Sequence, residues 1–331
     1  MITITFFAGQ GCLASSISSL TDAFTVANLW HKALSKDSEP LFATQVVSVD
    51  GKPIHCDGGI HIHPHLSLDR FERTDFLLIP PFLPVAEPLT EDIETVLGWI
   101  IDQYRAGIPI AAMCTGAFLL AETGLLDGKT ATTNWQFATL FKRRYPGVHL
   151  RPEHILTEDS GLICTGAVTA IYNLGLHIIE RCGSKELASV CSKALLVDPN
   201  RNSQAPYIIH RGRAGHRDAD MLKAQRYIEE NYPRGITMDQ VAGHVCLSPR
   251  QFKRRFKRAT GDGPLAYLQK VRIEAAKTRL ETTLESIDAI TRQIGYEDSS
   301  AFRRLFKKHT DLSPREYRDK FFRLKPGIFK N

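Results

Sequence analysis

The 331-residue sequence holds no apolar run approaching the roughly 18 residues that a membrane-crossing helix requires. That excludes a helical membrane protein and predicts a chain with no membrane partner. It also lacks any CxxC pair. Its seven cysteines, at positions 12, 56, 114, 164, 182, 191 and 246, are scattered and odd in number. This argues against a disulfide framework and a structural zinc site, and it suits a reducing, cytoplasmic setting. The opening Met1-Ile-Thr-Ile-Thr-Phe-Phe has neither the basic start nor the small-residue cleavage site of a signal peptide, and reads as a first strand.

Charge is present but unevenly spread. The net charge is +6, yet residues 217–331 carry 25 Lys/Arg against 15 Asp/Glu, while residues 1–216 carry 17 against 21. A basic C-terminal third beside a mildly acidic remainder is the footprint of a polyanion-binding module joined to a domain that does not bind polyanions.

The two parts also differ in pattern. Residues 44–49, 76–79 and 108–112 are short, apolar and strand-like. Between the last two, residues 91–107 place Ile93, Val96, Leu97, Ile100, Ile101 and Tyr104 on one helical face, with Gly107 as a stop. Residues 167–181 carry a second stripe in Ile171, Leu174, Ile178 and Ile179. Alternating strands and helices predict an α/β domain over residues 1–195, a flavodoxin-like parallel sheet sandwiched by helices. Residues 196–218 are rich in turn formers and poor in apolar anchors, and read as a linker. From Ala219 to residue 331 the pattern is all helical.

The helical part contains a repeat. Residues 251–267, QFKRRFKRATGDGPLAY, parallel residues 301–317, AFRRLFKKHTDLSPREY, at an offset of 50. Phe252 pairs with Phe302, Phe256 with Phe306, Pro264 with Pro314 and Tyr267 with Tyr317. Two copies make a duplicated supersecondary unit, not a solenoid. Each reads as helix, tight turn, helix. Ser248-Pro249 and Asp298 cap the second helices. Phenylalanines four apart face inward, which turns Lys253, Arg254, Arg303 and Arg304 outward. A helix with an aromatic inner stripe and a basic outer face suits the DNA major groove. Residues 264–281 offer a helical spacer of about 27 Å, so the two reading helices can lie about one DNA turn apart.

Residues 295–318, GYEDSSAFRRLFKKHTDLSPREYR, closely resemble the signature of the AraC/XylS family of bacterial regulators, and the resemblance extends over about residues 220–320. It implies two helix-turn-helix units joined by a long helix. By position it implies base reading by Arg250, Lys253 and Arg254 in the first unit and by Ser299, Ser300, Arg303 and Arg304 in the second. Lys257, Lys307 and Lys308 are expected on phosphates. Asp311 departs from the family's usual glycine, which should alter the local turn and not DNA binding.

In the first part, residues 110–118, IAAMCTGAF, read as strand, sharp turn and helix with Cys114 at the turn, the geometry of a nucleophile elbow. With residues 119–135, 166–170 and 177–183, they resemble the class I glutamine amidotransferase-like superfamily, in its PfpI-like form found at the front of some AraC-type regulators. Three positions depart from catalytic relatives. Asn134 stands where a histidine commonly precedes the Trp, Ser16 occupies the place of an acidic residue, and Pro80-Pro81-Phe82 lacks the glycines of an oxyanion-binding loop. A cysteine nucleophile needs a base within hydrogen-bond reach. The departures therefore point to a ligand-sensing pocket with no catalytic residues, its polar lining drawn from Asp22, Cys114, Thr115 and Asn134. The resemblance suggests small nitrogen-containing metabolites, such as amino acids or quaternary amines, as effectors. Oxidation of Cys114 is an alternative input.

His55, His61, His63 and His65 cluster near Cys56 and Asp57 but offer no closed ligand set, so neither metal nor other cofactor is expected. The expectation from sequence is a cytoplasmic, homodimeric transcription regulator, an activator, with double-stranded operator or promoter DNA, a small-molecule effector and RNA polymerase as partners. The alternatives are a cysteine-dependent amidase or hydrolase with an appended DNA-binding domain, and a non-specific nucleic-acid binder.

Overall fold

The computed structural model describes residues 1–35, 39–83, 92–210 and 216–323. It divides into two units, Met1–Gln204 and Ala205–Asn331. Glu91, the first residue of the expected helix over 91–107, and residues 211–215 of the expected linker lie outside the described residues, as do residues 324–331.

The first unit begins with β1 (Ile2–Phe7), α1 (Ala14–Ser35), β2 (Phe42–Ser48), the short strands β3 (Ile54–His55), β4 (His61–Ile62) and β5 (Leu66–Ser67), and β6 (Phe76–Ile79). It continues through α2 (Ile93–Arg105), β7 (Ile110–Met113), α3 (Gly116–Glu122), β8 (Thr130–Ala131), α4 (Ala138–Arg144) and β9 (His149–Leu150). It closes with β10 (Leu156–Asp159), β11 (Leu162–Thr165), α5 (Ile171–Cys182) and α6 (Lys185–Ala194). Seven strands form one sheet in the order β10-β11-β7-β6-β1-β2-β5. All pairs are parallel except β10 with β11.

The sheet is buried on both faces, as crossover helices demand. Alternate residues of each strand enter different cores. Ile4, Phe6, Ala111 and Met113 pack with Leu20 and Phe24 of α1 and with Leu174 and Ile178 of α5. Phe7, Ile110 and Ala112 pack on the opposite face with Val96 and Ile100 of α2, Leu120 of α3 and Phe141 of α4. The central strands β6 and β7 therefore read as continuous apolar runs, whereas β1 keeps threonines at alternate positions.

The second unit is helical: α7 (Ala219–Asn231), α8 (Met238–His244), α9 (Pro249–Thr260), α10 (Pro264–Thr282), α11 (Ile287–Gln293), α12 (Ser299–Thr310) and α13 (Pro314–Phe321). It has two cores that share α10. Met221, Ile228, Val241, Phe252, Phe256 and Tyr267 build the first. Ile273, Leu280, Ile290, Phe302, Phe306 and Tyr317 build the second.

The expected linker, residues 196–218, is divided between the units. Its front part is tied into the first unit by polar bonds. Arg201 donates to Thr169 and to Asn173 Oδ1 (2.8 Å). The buried Gln204 amide donates to the carbonyls of Thr133, Pro152 and His154 and accepts from Ala167 N. A Cβ on Gly166 would sit 2.2 Å from the Gln204 side chain, so only glycine leaves it room. Residues 205–210 pack on the second unit, where Lys277 Nζ donates to Ile208 O at 2.6 Å and the Tyr207 ring meets Phe321 edge-on. Burial, with Lys270 and Lys277 nearby, lowers the His210 imidazole to about 4. These anchors are amides, cations and carbonyls, which an apolar-pattern reading does not register.

Candidate nucleic-acid interface and elbow site

The second helices of the repeat, α9 and α12, are built alike. Phe252 and Phe256 stack through to Tyr267, and Phe306 stacks edge-on against Tyr317 beside Phe302. Each tyrosine hydroxyl ends on a carboxylate: Tyr267 on Glu229 at 2.6 Å and Tyr317 on Glu281 at 2.7 Å. These bonds satisfy the one polar atom that each aromatic stack would otherwise bury. Ser248 and Asp298 cap the two helices as expected from sequence, and Ser248 with Gln251 forms a full capping box. Gly261 and Asp311 end them in the left-handed conformation, at φ 81° and 57°. Asp311 thus adopts the turn that the usual glycine would supply.

The helices leading into the turns match at a different offset. α8 and α11 correspond at 49 residues, whereas α9 and α12 correspond at 50, so the second turn is one residue longer. Its left-handed residue is Gly295, where the first turn has Cys246. A Cβ on Gly295 would meet Pro233 O at 2.8 Å and Tyr232 O at 2.9 Å. Arg272 of α10 closes the same junction. It donates to Tyr232 O and Arg234 O and lies 4.9 Å over the Tyr296 ring. The end of α7, the long helix and the second turn are thereby held as one brace. Sequence reasoning missed Arg272, because its partners lie at a separation of 40 and 38 residues.

Phenylalanine burial places the expected DNA-reading residues outward. Arg250, Lys253, Arg254 and Lys257 are exposed along α9, and Ser300, Arg303, Arg304, Lys307 and Lys308 along α12. Ser299 is half-buried at the first position of α12. Arg303 is engaged in the free protein, with Nη2 3.3 Å from Asp288 Oδ1 of α11. Arg255, on the same basic run, faces a different way: it is held by Asp218 at 2.7 Å and Asp220 at 2.9 Å. The arrangement can present two cationic helix faces, carried on one frame, to a polyanion groove.

In the first unit, Cys114 sits between β7 and α3 with φ 54°. This is a sparsely populated conformation for a residue with a side chain. It is fixed by Cys114 N donating to Thr165 O, by Thr133 Oγ1 donating to Cys114 O at 2.7 Å, and by Gly116, whose missing Cβ lets α3 approach the carbonyls of Ile79 and Pro80. Burial pushes the Cys114 thiol up, and hydrogen bonds from Asn134 and Thr115 only partly offset it.

Three of the four expected pocket residues meet at the elbow, where Asn134 and Thr115 bond the Cys114 thiol, and Asp22 lies apart. Asn134 contacts the thiol and also caps the turn at residues 135–137. Thr115 is buried, and its hydroxyl also clamps Phe82, accepting from its N and donating to its O. Asp22 lies exposed on the solvent face of α1, whose inward face is Leu20, Ala23, Phe24 and Ala27. Helix phase thus turns Asp22 away from the elbow, while Thr115 stays beside Cys114 and clamps Phe82 as well. Ser16 is fully buried, with its hydroxyl on Leu13 O.

A cavity of about 540 Å³ opens elsewhere in this unit, between α5, α6 and residues 199–202. His154, Asn173, His177, Glu180, Lys185 and Arg201 supply its polar wall, and none of the four expected residues lines it. The histidine cluster is likewise spent locally. His65 Nδ1 accepts from Val46 N, and the rings of His55 and His61 meet edge-on at 4.3 Å. Among the described residues no group of three or more His, Cys, Asp or Glu is placed to hold a metal ion, and no helix is long and apolar enough to cross a membrane.

Comparison with known proteins agrees with both halves of this picture. Residues 33–181 match the DJ-1/PfpI family, and residues 241–320 match a helix-turn-helix domain model. The HTH-type transcriptional regulator GbdR of Pseudomonas aeruginosa is 24% identical over 306 residues, 90% of this chain and 82% of that protein. The regulator ArgR of the same organism is 29% identical, covering 71% of this chain and 72% of that one. GlxA of Rhizobium meliloti is 30% identical, covering 62% and 64%. The crystal structure of a DJ-1 superfamily protein from Salmonella typhimurium superposes with a TM-score of 0.50 at 13% identity, over 60% of this chain and all of that one. The chain is a DNA-binding regulator that carries a DJ-1/PfpI domain in front of a helix-turn-helix domain, as a protein similar to GbdR and GlxA.

Proposed function

We propose that the protein is a cytoplasmic, homodimeric transcription activator that reads its operator with α9 and α12 and answers to a small nitrogen-containing metabolite bound in the first unit. The observation that carries the reading is the duplicated frame. Two capped helices bury the same aromatic triad and expose the same basic positions, Arg254 and Arg304 among them. A plain solvated helix needs no such second copy. Arginine in the major groove selects guanine through paired bonds to O6 and N7. Ser299 and Ser300, at the start of α12, stand where a recognition helix meets base edges. Lys257, Lys307 and Lys308, one turn further along, serve phosphates.

For the effector, the 540 Å³ cavity has the size of a metabolite site. Its wall offers both a carboxylate, Glu180, and cations, Lys185 and Arg201, which suits a zwitterion. The effector acts by favouring one pre-existing state of the regulator and leaves the chemistry of DNA contact unchanged. In this reading Cys114 is not a nucleophile. Its thiol is held protonated by burial, and the amide of Asn134 beside it cannot accept a proton. RNA polymerase is the downstream partner on DNA.

Competition binding at fixed salt tests the reading. The full chain should prefer duplex selected from its own genome over scrambled duplex by a factor of about 10³ or more. Equal affinity for both would reduce it to a non-specific binder. Cys114→Ala should leave effector-dependent transcription intact; its loss would favour covalent catalysis.

A further inference from the structure

The geometry points to a reversible disulfide between Cys12 and Cys56, formed by a two-electron oxidant such as hydrogen peroxide, as a redox input to the first unit. The two thiols come from separate segments, 44 residues apart, and their sulfurs lie 3.6 Å from each other in hydrogen-bond contact. Both are reduced, and both sit in the same core. Cys12 is fully buried and Cys56 is 6% exposed. The backbone is already paired there. Gly11 N donates to His55 O at 2.9 Å, and Asp57 N donates to Cys12 O at 3.1 Å, so bonds flank the sulfur contact on both sides. Loss of two electrons with the two thiol protons lets a covalent bond replace this contact, and the sulfurs close from 3.6 Å to about 2 Å.

The route in is through Cys56. Burial, and the neighbouring Cys56, push the Cys12 thiol up, and Cys12 is fully buried while Cys56 borders exposed chain. Cys56 directly follows β3, a strand of two residues, and directly precedes the exposed residues 57–60, with Gly58 and Gly59 at positive φ. Such a hairpin opens at little cost. Peroxide then takes the Cys56 sulfur to a sulfenic acid with release of one water. Cys12 attacks that sulfur, its thiol proton leaves with the hydroxyl as a second water, and the disulfide forms; two thiols lose two electrons and peroxide gains them. A dithiol reductant reverses the step by exchange.

The bridge would staple the β3–β4 hairpin to the loop that also carries the Cys12–Phe82 backbone bridge. Phe82 is the residue clamped by Thr115, next to Cys114. Oxidation thus rigidifies the elbow region without touching the elbow cysteine, which has no thiol neighbour among the described residues.

The test is non-reducing peptide mapping of the full chain after reductant is removed and peroxide is added. The expected result is one new linked peptide joining Cys12 and Cys56, and a fall in titratable thiols from seven to five. Dithiothreitol should restore all seven. Cys114→Ala should still form the linked peptide, and Cys56→Ser should not. If Cys56→Ser proves unstable, the wild-type map decides alone. Peroxide consumption confined to Cys114 or the exposed Cys246, with Cys12 and Cys56 both remaining open to alkylation in denaturant, would overturn the assignment.

Discussion

The two helix-turn-helix halves share a frame and differ in their turns. In both, a phenylalanine pair packs on a tyrosine whose hydroxyl ends on a glutamate. The first half makes its turn with Cys246 at φ 55° and keeps Arg250, Lys253 and Arg254 exposed, apart from the Asp218 and Asp220 carboxylates that hold Arg255. The second half has one extra residue, turns on Gly295, and lends Arg303 to Asp288. The difference teaches that duplication preserved the core and relaxed the connection. Gly295 and Arg272 then lock the second turn onto the residues that end α7, next to the long helix that both cores share.

The largest expected effect breaks that lock. Gly295→Ala adds a Cβ at 2.8–2.9 Å from two backbone carbonyls, at a φ of 88° that L-residues resist. A loss of about 2–4 kcal/mol is expected from strain and overpacking together. Chemical denaturation followed by separate probes in the two cores checks it; the transitions should also cease to coincide. An unchanged midpoint would mean that the second turn is not a junction at all.

A smaller effect sharpens the comparison. The Asp288–Arg303 pair is about half exposed on both sides, so it holds the arginine weakly. Asp288→Ala should free Arg303 for DNA and tighten binding by about 0.2–1 kcal/mol, read by titration at fixed salt. Weaker binding would show that Asp288 positions Arg303 for its contact instead of competing with it.

How much of this was legible in the sequence follows from the range of the interactions. The repeat was readable because phenylalanine spacing and capping residues are local, and the parallel sheet because its central strands β6 and β7, buried on both faces, are apolar throughout. The elbow was readable from the run leading into Cys114-Thr-Gly116, in which Gly116 is required by the carbonyls of Ile79 and Pro80. What was hidden is held by long-range polar contacts. Arg272 braces the residues that follow α7 and the second turn, and nothing near it in sequence announces that. Arg201 and Gln204 bind residues 196–204 into the first unit through amides and carbonyls, so a stretch without apolar anchors looked like free linker. Asp22 lies away from Cys114 because helix phase turns it to solvent, and that phase is set by the packing of α1. Cys12 and Cys56 are far apart in sequence and meet only in the fold.

The central claim is that α9 and α12 each read bases through equivalent arginines on one rigid frame. Selection of bound duplexes from a randomised pool, run in parallel for the wild type, Arg254→Ala and Arg304→Ala, tests it most directly. Each variant should lose about 1–3 kcal/mol of discrimination at one position, and the two relaxed positions should lie about one helical turn apart. Unchanged selected sequences in both variants, or a uniform loss of affinity with discrimination intact, would contradict it.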